Sequence, residues 1–287
     1  MRDRSFLGFI IGSLAVAAIL GLLQHFFRKG SQRARSSREL LTDLSYWGLT
    51  PLVTRTITRF ATGALVVAVA LAFGFGGGLE GAKRLLAATQ AHSPLSQLPR
   101  FVQLVLAVAV ADFVGYGVHR GFHRSRAWRF HAVHHSSKKL DWLAATRIHP
   151  VNDLAAKLAL TVPLVLLGFD LTVLASVAPL LTIYALFIHA DLPWSFGPLK
   201  YVIASPRFHR WHHTSERDGL DKNFAGLLPV WDLLFGTFFM PDRIPETFGV
   251  DDAMPEGLFG QLAWPFKPRG KKEEASPVLA TPLHSKP

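Results

Sequence analysis

Long apolar segments constrain the fold of this 287-residue chain more than any other feature. Residues 5–27 contain no Asp, Glu, Lys or Arg, and a helix of this length exceeds the roughly 30 Å of a hydrocarbon core at about 1.5 Å per residue. A cleaved signal peptide is the alternative, but the stretch is longer than a signal h-region and no small-residue cleavage site follows it. Because 49% of the chain is hydrophobic and 18% is charged, the sequence predicts an integral membrane protein.

Four further apolar segments set the number of expected spans. The segments at about 61–78 and 101–118 are long enough to cross a bilayer, whereas those at 154–168 and 171–188 are short and closely spaced. The short pair is typical of a helical hairpin that enters the bilayer or just crosses it. We therefore expect an all-α, polytopic membrane protein with about three full spans plus a membrane-embedded helical hairpin.

Basic residues predict the orientation of these spans. The positive-inside rule places the loop between the first and second segments in the cytoplasm. The third segment then returns the chain to the cytoplasm near His119, and the hairpin brings His189 to the same side. We expect a cytoplasmic-side helical cap that carries the histidine motifs. The basic residues of the loop are Arg28, Lys29, Arg33, Arg35, Arg38, Arg55 and Arg59.

Three regions follow from this organisation. Residues 1–100 comprise the N-terminal membrane helices and the basic cytoplasmic loop, and residues 101–245 form a histidine-box catalytic domain. Residues 246–287 are a C-terminal extension whose end, rich in Pro, Lys, Glu and Ser, is expected to be disordered. The net charge of +11 is spread over juxtamembrane loops and the tail without a nucleic-acid-binding motif. Attraction to anionic lipid headgroups explains it better than nucleic-acid binding does.

Eight of the thirteen histidines lie in three short clusters. Spacings of three and four residues place imidazoles on one face of a helix, and the absence of cysteine excludes Cys-ligated clusters and thiolate zinc sites. Eight ligands exceed the coordination number of one ion, about four to six, so the pattern predicts two ions with four or five imidazoles each. The clusters are His119 and His123; His131, His134 and His135; and His209, His212 and His213.

Several residues outside the clusters are further candidates. His189 is the predicted ninth ligand, while His149 is left open between a ligand, a residue that supports a ligand, and a structural turn before Pro150. Asp112 precedes His119 by two helical turns, and an Asp in a membrane helix indicates function. We expect it to accept the second N–H of a ligand histidine; the alternative is packing through an Arg or a backbone group. Tyr116 either donates to the site or, as we favour, anchors the membrane interface.

The order of these motifs over residues 101–241 resembles that of the fatty acid hydroxylase/sterol desaturase superfamily of membrane di-metal oxygenases. The matching motifs are Asp112-Phe-Val-Gly-Tyr116-Gly-Val-His119-Arg120, His131-x-x-His134-His135, Arg147-x-His149-Pro150, Ser205-Pro-Arg-Phe-His209-Arg-x-His212-His213, Asn223-Phe-Ala-Gly226 and Trp231-Asp-Leu-Leu-Phe-Gly236-Thr237. The last two resemble the signature that follows the final histidine box of the family.

This resemblance implies a di-iron centre that uses O₂ and two electrons to attack a C–H bond of a lipid, such as a fatty acyl, sterol-like, isoprenoid or ether lipid. By this resemblance, the eight clustered histidines are expected to be iron ligands, and Asp112, Tyr116 and Asn223 are candidate catalytic residues. Zinc binds nitrogen donors more tightly than ferrous iron, so a preparation can carry zinc. A separate electron donor of cytochrome or ferredoxin type is expected, and the basic loop at Arg33, Arg35 and Arg38 is its predicted docking surface.

Other functions fit the sequence less well. Hydroxylation is preferred to desaturation by analogy with the family, although the two share the first hydrogen abstraction. A zinc-dependent membrane hydrolase would need an open zinc site and a carboxylate base, as in HExxH, and that motif is absent from the sequence. A bis-histidine haem carrier would leave the paired boxes unexplained, and a non-catalytic family member would have no reason to keep all eight motif histidines.

Overall fold

The computed structural model describes residues 2–28, 34–250 and 254–268, the first nine of them by their backbone alone. Within this part of the chain there is no β-strand, only an isolated bridge between Thr214 and Phe248. The α-helices are α1 (Arg2–Phe27), α2 (Ser37–Leu49), α3 (Arg55–Ala72), α4 (Leu79–His92), α5 (Arg100–His123), α6 (Trp128–His135), α7 (Pro150–Leu166), α8 (Leu171–His189), α9 (Pro206–His212), α10 (Val230–Leu234) and α11 (Leu258–Ala263). The predicted all-α class is confirmed.

Local sequence explains where several helices begin. Ser36 and Glu39 form a capping box at α2, because the Ser36 hydroxyl accepts from the Glu39 N–H at 3.2 Å and the Glu39 carboxylate accepts from the Ser36 N–H at 2.9 Å. The Asp170 carboxylate accepts from the Thr172 N–H at the start of α8. The Ser205 hydroxyl accepts from the Phe208 N–H at the start of α9. These caps fix the first turns of α2, α8 and α9; the latter two helices carry histidines nearer their C-terminal ends.

Three helices in the described ranges are long and apolar enough to cross a membrane, which confirms a polytopic membrane protein. They are Ser37–Ala72, which runs through α2, a π-helical turn at Thr50–Thr54 and α3; Arg100–His123, which is α5; and Leu171–His189, which is α8. Ile11–Phe27 of α1 is a shorter apolar helix. The span predicted at about 61–78 is part of Ser37–Ala72, so it begins earlier than predicted. It ends at Ala72, before the predicted boundary near residue 78, because Gly74, Gly77 and Gly78 adopt positive φ angles.

The predicted hairpin differs from the observed arrangement of α7 and α8. The two helices are joined by a tight turn at Gly168, whose φ is +68° and where a Cβ would lie 2.3 Å from the Thr89 carbonyl oxygen. Each helix then packs against α5, rather than mainly against the other. A buried cluster of Ala107, Ala111 and Val177 lies in this layer. The turn and α5 therefore hold the pair together, and α8 alone is long enough to be a full span.

The helix ends that carry histidines lie at one end of the bundle, as the order of the spans predicts. The C-terminal turn of α1 reaches the end of α8, where the Gln24 side chain accepts from the Asp191 N–H at 2.7 Å. At the opposite end, Gln90 of α4 donates to the Phe169 carbonyl at 3.1 Å. The short helices α6, α9, α10 and α11 surround the histidine end. The assignment of this end to the cytoplasm stays a prediction, as do the three domain boundaries.

A buried ion network joins α2 to the chain just before α7. Asp43 pairs with the Arg147 guanidinium and lies 3.0 Å from Nη1 of Arg35, while Arg35 also reaches Asp141 at 2.5 Å. Asp43 and Arg147 have side chains 0% and 3% exposed, and that of Arg35 is 9% exposed. Arg35 is therefore unavailable for the docking surface predicted for it. Lys29 and Arg33 lie outside the described residues, as does most of the predicted disordered tail.

We expect Asp43→Ala to lower the free energy of unfolding by about 3–5 kcal/mol, because it leaves the Arg147 charge buried without its partner. The measurement is the thermal or denaturant midpoint of the purified protein in detergent. Glu80→Ala is the matched control: Glu80 forms an ion pair with Lys83 in which both side chains are about 70% exposed, so its loss should leave the midpoint unchanged. Equal effects of the two substitutions would contradict this account of the network.

Candidate metal centre

Nine histidines converge at the capped end of the bundle in two groups. In each group, one ring nitrogen from every histidine lies within 4.8 Å of the others. The groups include all eight clustered histidines and also His189, the predicted ninth ligand. The five-histidine group contains His119, His123, His131, His135 and His212, and the four-histidine group contains His134, His189, His209 and His213.

Helical spacing explains how the two HxxHH boxes divide between the groups. On α6, His131 and His135 are four residues apart and enter the five-histidine group, while His134 turns to the four-histidine group. At α9 the division is reversed, since His209 and His213 enter the four-histidine group and His212 enters the other. Each box thus contributes to both groups, and α5 and α8 complete them from the membrane-spanning region.

Within each group the Nε2 atoms point at one another. Nε2 of His131 lies 2.9 Å from that of His119 and 3.1 Å from that of His135. In the other group, Nε2 of His189 lies 3.2 Å from that of His134 and 3.1 Å from that of His209. These distances equal those of hydrogen bonds, so the protonation of each ring decides whether the contacts attract or repel.

The hydrogen-bond partners of the outer ring nitrogens indicate which nitrogen of each ring carries the proton. Nδ1 of His119 lies 2.7 Å from the Phe224 carbonyl oxygen, and Nδ1 of His134 lies 3.1 Å from that of Arg147. Nδ1 of His189 lies 2.6 Å from the Ala185 carbonyl oxygen. A carbonyl oxygen only accepts, so each Nδ1 carries a proton, and in the neutral ring each Nε2 therefore presents a lone pair.

Two facing lone pairs repel each other unless a cation lies between them. His134 and His189 are such a pair, because both donate from Nδ1 to carbonyl oxygens. Nε2 of His212 is buried without a hydrogen-bond partner, while its Nδ1 lies 2.8 Å from the Lys222 carbonyl oxygen. The lone-pair nitrogen of a neutral imidazole is a metal ligand suited to iron, zinc and copper. The residues therefore fit a transition-metal ion in each group.

Burial keeps these rings in the neutral form that binds metal. It lowers the pKa of the ring well below the usual value in every grouped histidine that lies outside the membrane-spanning helices. Neighbouring imidazoles act in the same direction, because two adjacent positive charges would repel. The residues concerned are His131, His134, His135, His209, His212 and His213.

Asp221 supplies a carboxylate to the five-histidine group and is missing from the sequence prediction. Its Oδ1 lies 3.1 Å from Nδ1 of His123, and its side chain is 28% exposed. Burial raises the pKa of Asp221, while Arg124 and Lys222 act to lower it. A carboxylate bonded to the outer nitrogen of a ligand histidine fixes the ring and raises its basicity. The only signal in the sequence is the position of Asp221 two residues before Asn223 in a family signature.

The loop at residues 221–228, hereafter the acceptor loop, orients three histidines of this group through Asp221, the Lys222 carbonyl and the Phe224 carbonyl. Two buried carboxylates hold the loop in place. Asp232 accepts from the N–H groups of Phe224 and Ala225 at 2.8 and 2.9 Å. Burial raises the pKa of Asp232, and these two bonds, with a third from Thr237, act to lower it.

Asp112 is the second carboxylate that holds the acceptor loop. It accepts from the N–H groups of Leu227 and Leu228, each at 2.8 Å, and from the Trp231 indole at 3.1 Å. The predicted bond from a ligand histidine to Asp112 is therefore wrong, and the alternative of pairing with backbone groups describes the contacts. The physical reason is that the loop presents unpaired N–H groups next to α5, while the nearby imidazoles have carbonyl acceptors.

Tyr116 and Asn223 also support the acceptor loop. The Tyr116 ring is buried, with its hydroxyl 2.9 Å from that of Thr237, so the interfacial anchoring that we favoured is wrong. Asn223 has a φ of +58°, its Nδ2 donates to the Phe208 and Phe239 carbonyls, and its Oδ1 accepts from the Phe239 N–H. Both residues act on the site through the loop that they fix. A catalytic role for either stays a prediction.

His149 has a structural role and is not grouped with the metal-binding candidates. Its Nδ1 accepts from the Val151 N–H at the start of α7, and its Nε2 lies 3.1 Å from the Leu262 carbonyl oxygen of α11. Both ring nitrogens are thus engaged, and His149 belongs to neither group. Asn152, on the next turn, has its side-chain oxygen 2.8 Å from Nδ1 of His131. It orients a grouped histidine and, like Asp221, is missing from the sequence prediction.

We expect substitutions of Asn223 to rank in the order wild type, Asn223→Gly, Asn223→Ala by stability and by metal retention. Glycine keeps the positive φ but loses three hydrogen bonds, a loss of about 2–3 kcal/mol at roughly 1 kcal/mol each. Alanine loses the same bonds and adds about 1 kcal/mol of strain in the left-handed region. Melting in detergent and metal content after dialysis measure the two effects. Stability unchanged in both variants would contradict the role given to Asn223.

Comparisons with known proteins agree with the motifs. A family model described as fatty acid hydroxylase matches residues 104–237. Ornithine lipid hydroxylase OlsE of Rhizobium tropici is 30% identical over 274 residues, which are 94% of this chain and 79% of the relative. Alkylglycerol monooxygenases of Danio rerio and Homo sapiens are each 34% identical, over 54% and 44% of this chain. The matches cover 34% and 28% of those two relatives. No solved structure is significantly similar to the chain.

The matched segment contains all nine grouped histidines together with the acceptor loop, and the similarity to the Rhizobium protein extends over nearly the whole chain. The resemblance found in the sequence is confirmed. The chain belongs to the fatty acid hydroxylase family, within the fatty acid hydroxylase/sterol desaturase superfamily, and is a membrane-bound enzyme of the oxidoreductase class.

Proposed function

We propose that this protein is an O₂-dependent di-iron oxygenase that hydroxylates a C–H bond of a membrane lipid, with its active site on the cytoplasmic side. The observation that carries this proposal is the pair of buried histidine groups whose Nε2 lone pairs face one another. Oxidation of an unactivated C–H bond needs a redox metal, and an all-nitrogen donor set places no oxidisable thiolate beside the reacting atoms. Residues 101–245 form the proposed catalytic domain.

The five-histidine and four-histidine groups would each hold one iron ion. Two iron ions in these groups would supply the electron transfer to O₂ that C–H oxidation requires. Neutral imidazoles bring no negative charge, so the carboxylate of Asp221 offsets part of the positive charge at the five-histidine group. Zinc is expected to compete for both groups in overexpressed protein.

The exposure of the histidines indicates where the lipid approaches. Eight of the nine are buried, and His119 alone is partly exposed. His119 lies in the last turns of α5, a membrane-spanning helix, and Gly115 lies one turn before it with open space where a Cβ would be. A lipid entering between the membrane helices can therefore bring a carbon atom to His119 without crossing the cap. The helix surfaces would then select the carbon by position.

The relatives narrow the reaction and the substrate. Those that carry the argument are a hydroxylase and monooxygenases by name, so hydroxylation is preferred, and desaturation on the same centre is the alternative. Since the ornithine lipid hydroxylase matches 94% of this chain, an aminolipid of the ornithine type is the first substrate to test. Electrons would come from a separate carrier of cytochrome or ferredoxin type. Of the basic residues predicted to dock it, Arg38 is exposed, whereas the Arg35 side chain is 9% exposed and ion-paired with Asp43 and Asp141.

Metal analysis tests the centre directly. We expect about two metal ions per chain in protein grown with ample iron, and a loss of metal from both His134→Ala and His212→Ala, because each removes one ligand from a different group. The exposed His92 lies outside both groups, so His92→Ala is the control and should retain two. Stoichiometric haem in the wild type, or the absence of any metal from it, would contradict the di-iron proposal.

Lipid analysis tests the reaction. In cells that make ornithine lipids, expression of the wild type should add one oxygen atom to the lipid, and growth under ¹⁸O₂ should label that atom. The His134→Ala/His212→Ala double variant should give no such product. Loss of two hydrogen atoms without added oxygen would identify a desaturase instead. The absence of any change in the lipids would count against ornithine lipids as the substrate.

A further inference from the structure

Residues 223–240, hereafter the 223–240 segment, have the reverse of the polarity expected for a water-exposed surface. The segment contains one charged residue, Asp232, and apart from the Trp231 indole its other hydrogen-bonding side chains are those of Asn223 and Thr237. Asp232, Asn223 and Thr237 are 0–3% exposed. A surface helix in water turns polar residues outward, whereas the exposed side chains here are all apolar and 37–68% exposed: Val230, Leu233, Leu234 and Phe235.

A turn that precedes this segment shows the opposite pattern. At Arg217–Gly219, Arg217 is exposed and the Asp218 side chain is 74% exposed. Charged side chains are stable there only in contact with water, because transfer of a charge to hydrocarbon is strongly unfavourable. A boundary between water and an apolar phase therefore fits between this turn and α10.

Contacts with α5 place α10 at the depth of the hydrocarbon core. Asp112 accepts from the Trp231 indole at 3.1 Å, and the Phe113 ring centroid lies 4.9 Å from that of Trp231. Because α5 begins at Arg100, Asp112 lies about 18 Å along a helix that rises about 1.5 Å per residue. A hydrocarbon core of roughly 30 Å leaves roughly 10 Å between Asp112 and the boundary at the histidine end.

The exposed face of α10 continues the exposed surface of the spanning helix α5. Phe113 is 44% exposed, and its ring centroid lies 6.4 Å from that of Phe235, which is 47% exposed. Arg120, two turns further along α5, has its guanidinium carbon 5.9 Å from the Phe235 centroid. An arginine near the end of a membrane helix reaches the interface through its long side chain. α10 therefore lies just inside the boundary, beneath the headgroups.

Irregular backbone at this depth needs partners for its polar groups, because hydrocarbon offers none. In the 223–240 segment, Asp232 and Asp112 together accept four N–H groups of residues 224–228. Oδ1 of Asn223 accepts from the Phe239 N–H at 2.7 Å. Residues 223–225 are buried, whereas the exposed side chains belong to α10 and the residue after it. The segment thus meets the conditions under which non-helical backbone is found inside a membrane.

Ring contacts connect the exposed face of α10 to the metal centre. The Phe235 ring stacks on that of Tyr116 with centroids 5.4 Å apart, and the Tyr116 centroid lies 6.1 Å from that of Phe224. The Phe224 centroid is in turn 5.7 Å from that of His119. The exposed face of α10 is therefore separated from a grouped histidine by only two rings.

We propose that the 223–240 segment is a membrane-embedded element that does not span the bilayer, and that the exposed face of α10 packs against lipid acyl chains of the leaflet next to the histidine groups. Continuity with the surface of α5 and the absence of any exposed polar side chain from this face favour acyl chains over an aqueous partner. The proposal concerns the bilayer alone and holds whether or not the centre hydroxylates a lipid.

The test is the depth of single nitroxide labels in zinc-loaded, full-length protein reconstituted into phosphatidylcholine vesicles. Because the chain has no cysteine, each introduced cysteine carries the only label, and zinc adds no paramagnetic ion. The variant is Leu234→Cys. Ile183→Cys is the hydrocarbon control, since Ile183 is 53% exposed on the spanning helix α8, and Arg217→Cys is the water control. We expect the Leu234 label to match the Ile183 label, with a several-fold higher ratio of O₂ to nickel-chelate accessibility than the Arg217 label.

Leu233→Cys, at a position that is 43% exposed on α10, repeats the measurement if Leu234→Cys does not fold. Accessibility equal to that of the Arg217 label would overturn the proposal, because α10 would then lie in water. Low accessibility to both reagents would also overturn it. In that case, dipolar broadening that disappears on dilution with unlabelled protein would identify a second copy of the chain as the cover of α10.

Discussion

Nine imidazole rings packed with their Nε2 atoms facing one another repel when they are neutral, and the surrounding chain is organised around that repulsion. Neutral rings whose Nε2 atoms lie about 3 Å apart repel one another unless a cation lies between them. Carbonyl oxygens, one amide oxygen and one carboxylate from distant parts of the chain contact the outer nitrogens of six of the nine rings and so orient them. The short helices and fixed loops of the cap provide most of these acceptors.

Three buried carboxylates also help to orient the histidines, although none of them contacts an imidazole. Asp112 and Asp232 bind backbone N–H groups of the acceptor loop rather than imidazoles. An irregular loop beside a membrane helix would otherwise leave donors unpaired in a region with little water. Asp43 has the corresponding role on the other side of the site, where it holds Arg147 and thereby the carbonyl oxygen that accepts from His134. The three carboxylates thus position groups that orient the histidines.

The sequence predicts features that repeat at helical spacing, but not those that depend on tertiary contacts. The all-α class, the presence of several membrane-spanning helices and the convergence of nine histidines follow from apolar length and from i, i+3 and i+4 patterns, which local geometry determines. The bounds of the spans do not: Ser37–Ala72 begins well before the predicted segment, and α8, predicted as half of a hairpin, is itself long enough to be a span. The acceptors of the outer ring nitrogens follow no such pattern. A backbone carbonyl has no sequence signature, and the side chains of Asp221 and Asn152 reach their histidines only through tertiary contacts that the sequence does not predict. The partners predicted for Asp112 and Arg35 are wrong for a related reason. A charged residue in an apolar or buried segment must have a partner, but the sequence does not show which group the fold places beside it.

The division of each HxxHH box between the two groups has a consequence for how the centre tolerates change. A single short helix fixes histidines of both groups, so the helical pitch of α6 and of α9 sets the spacing between the two groups. A residue inserted within either box would rotate the following ring by about 100° and shift it by about 1.5 Å, and it would disrupt both groups at once.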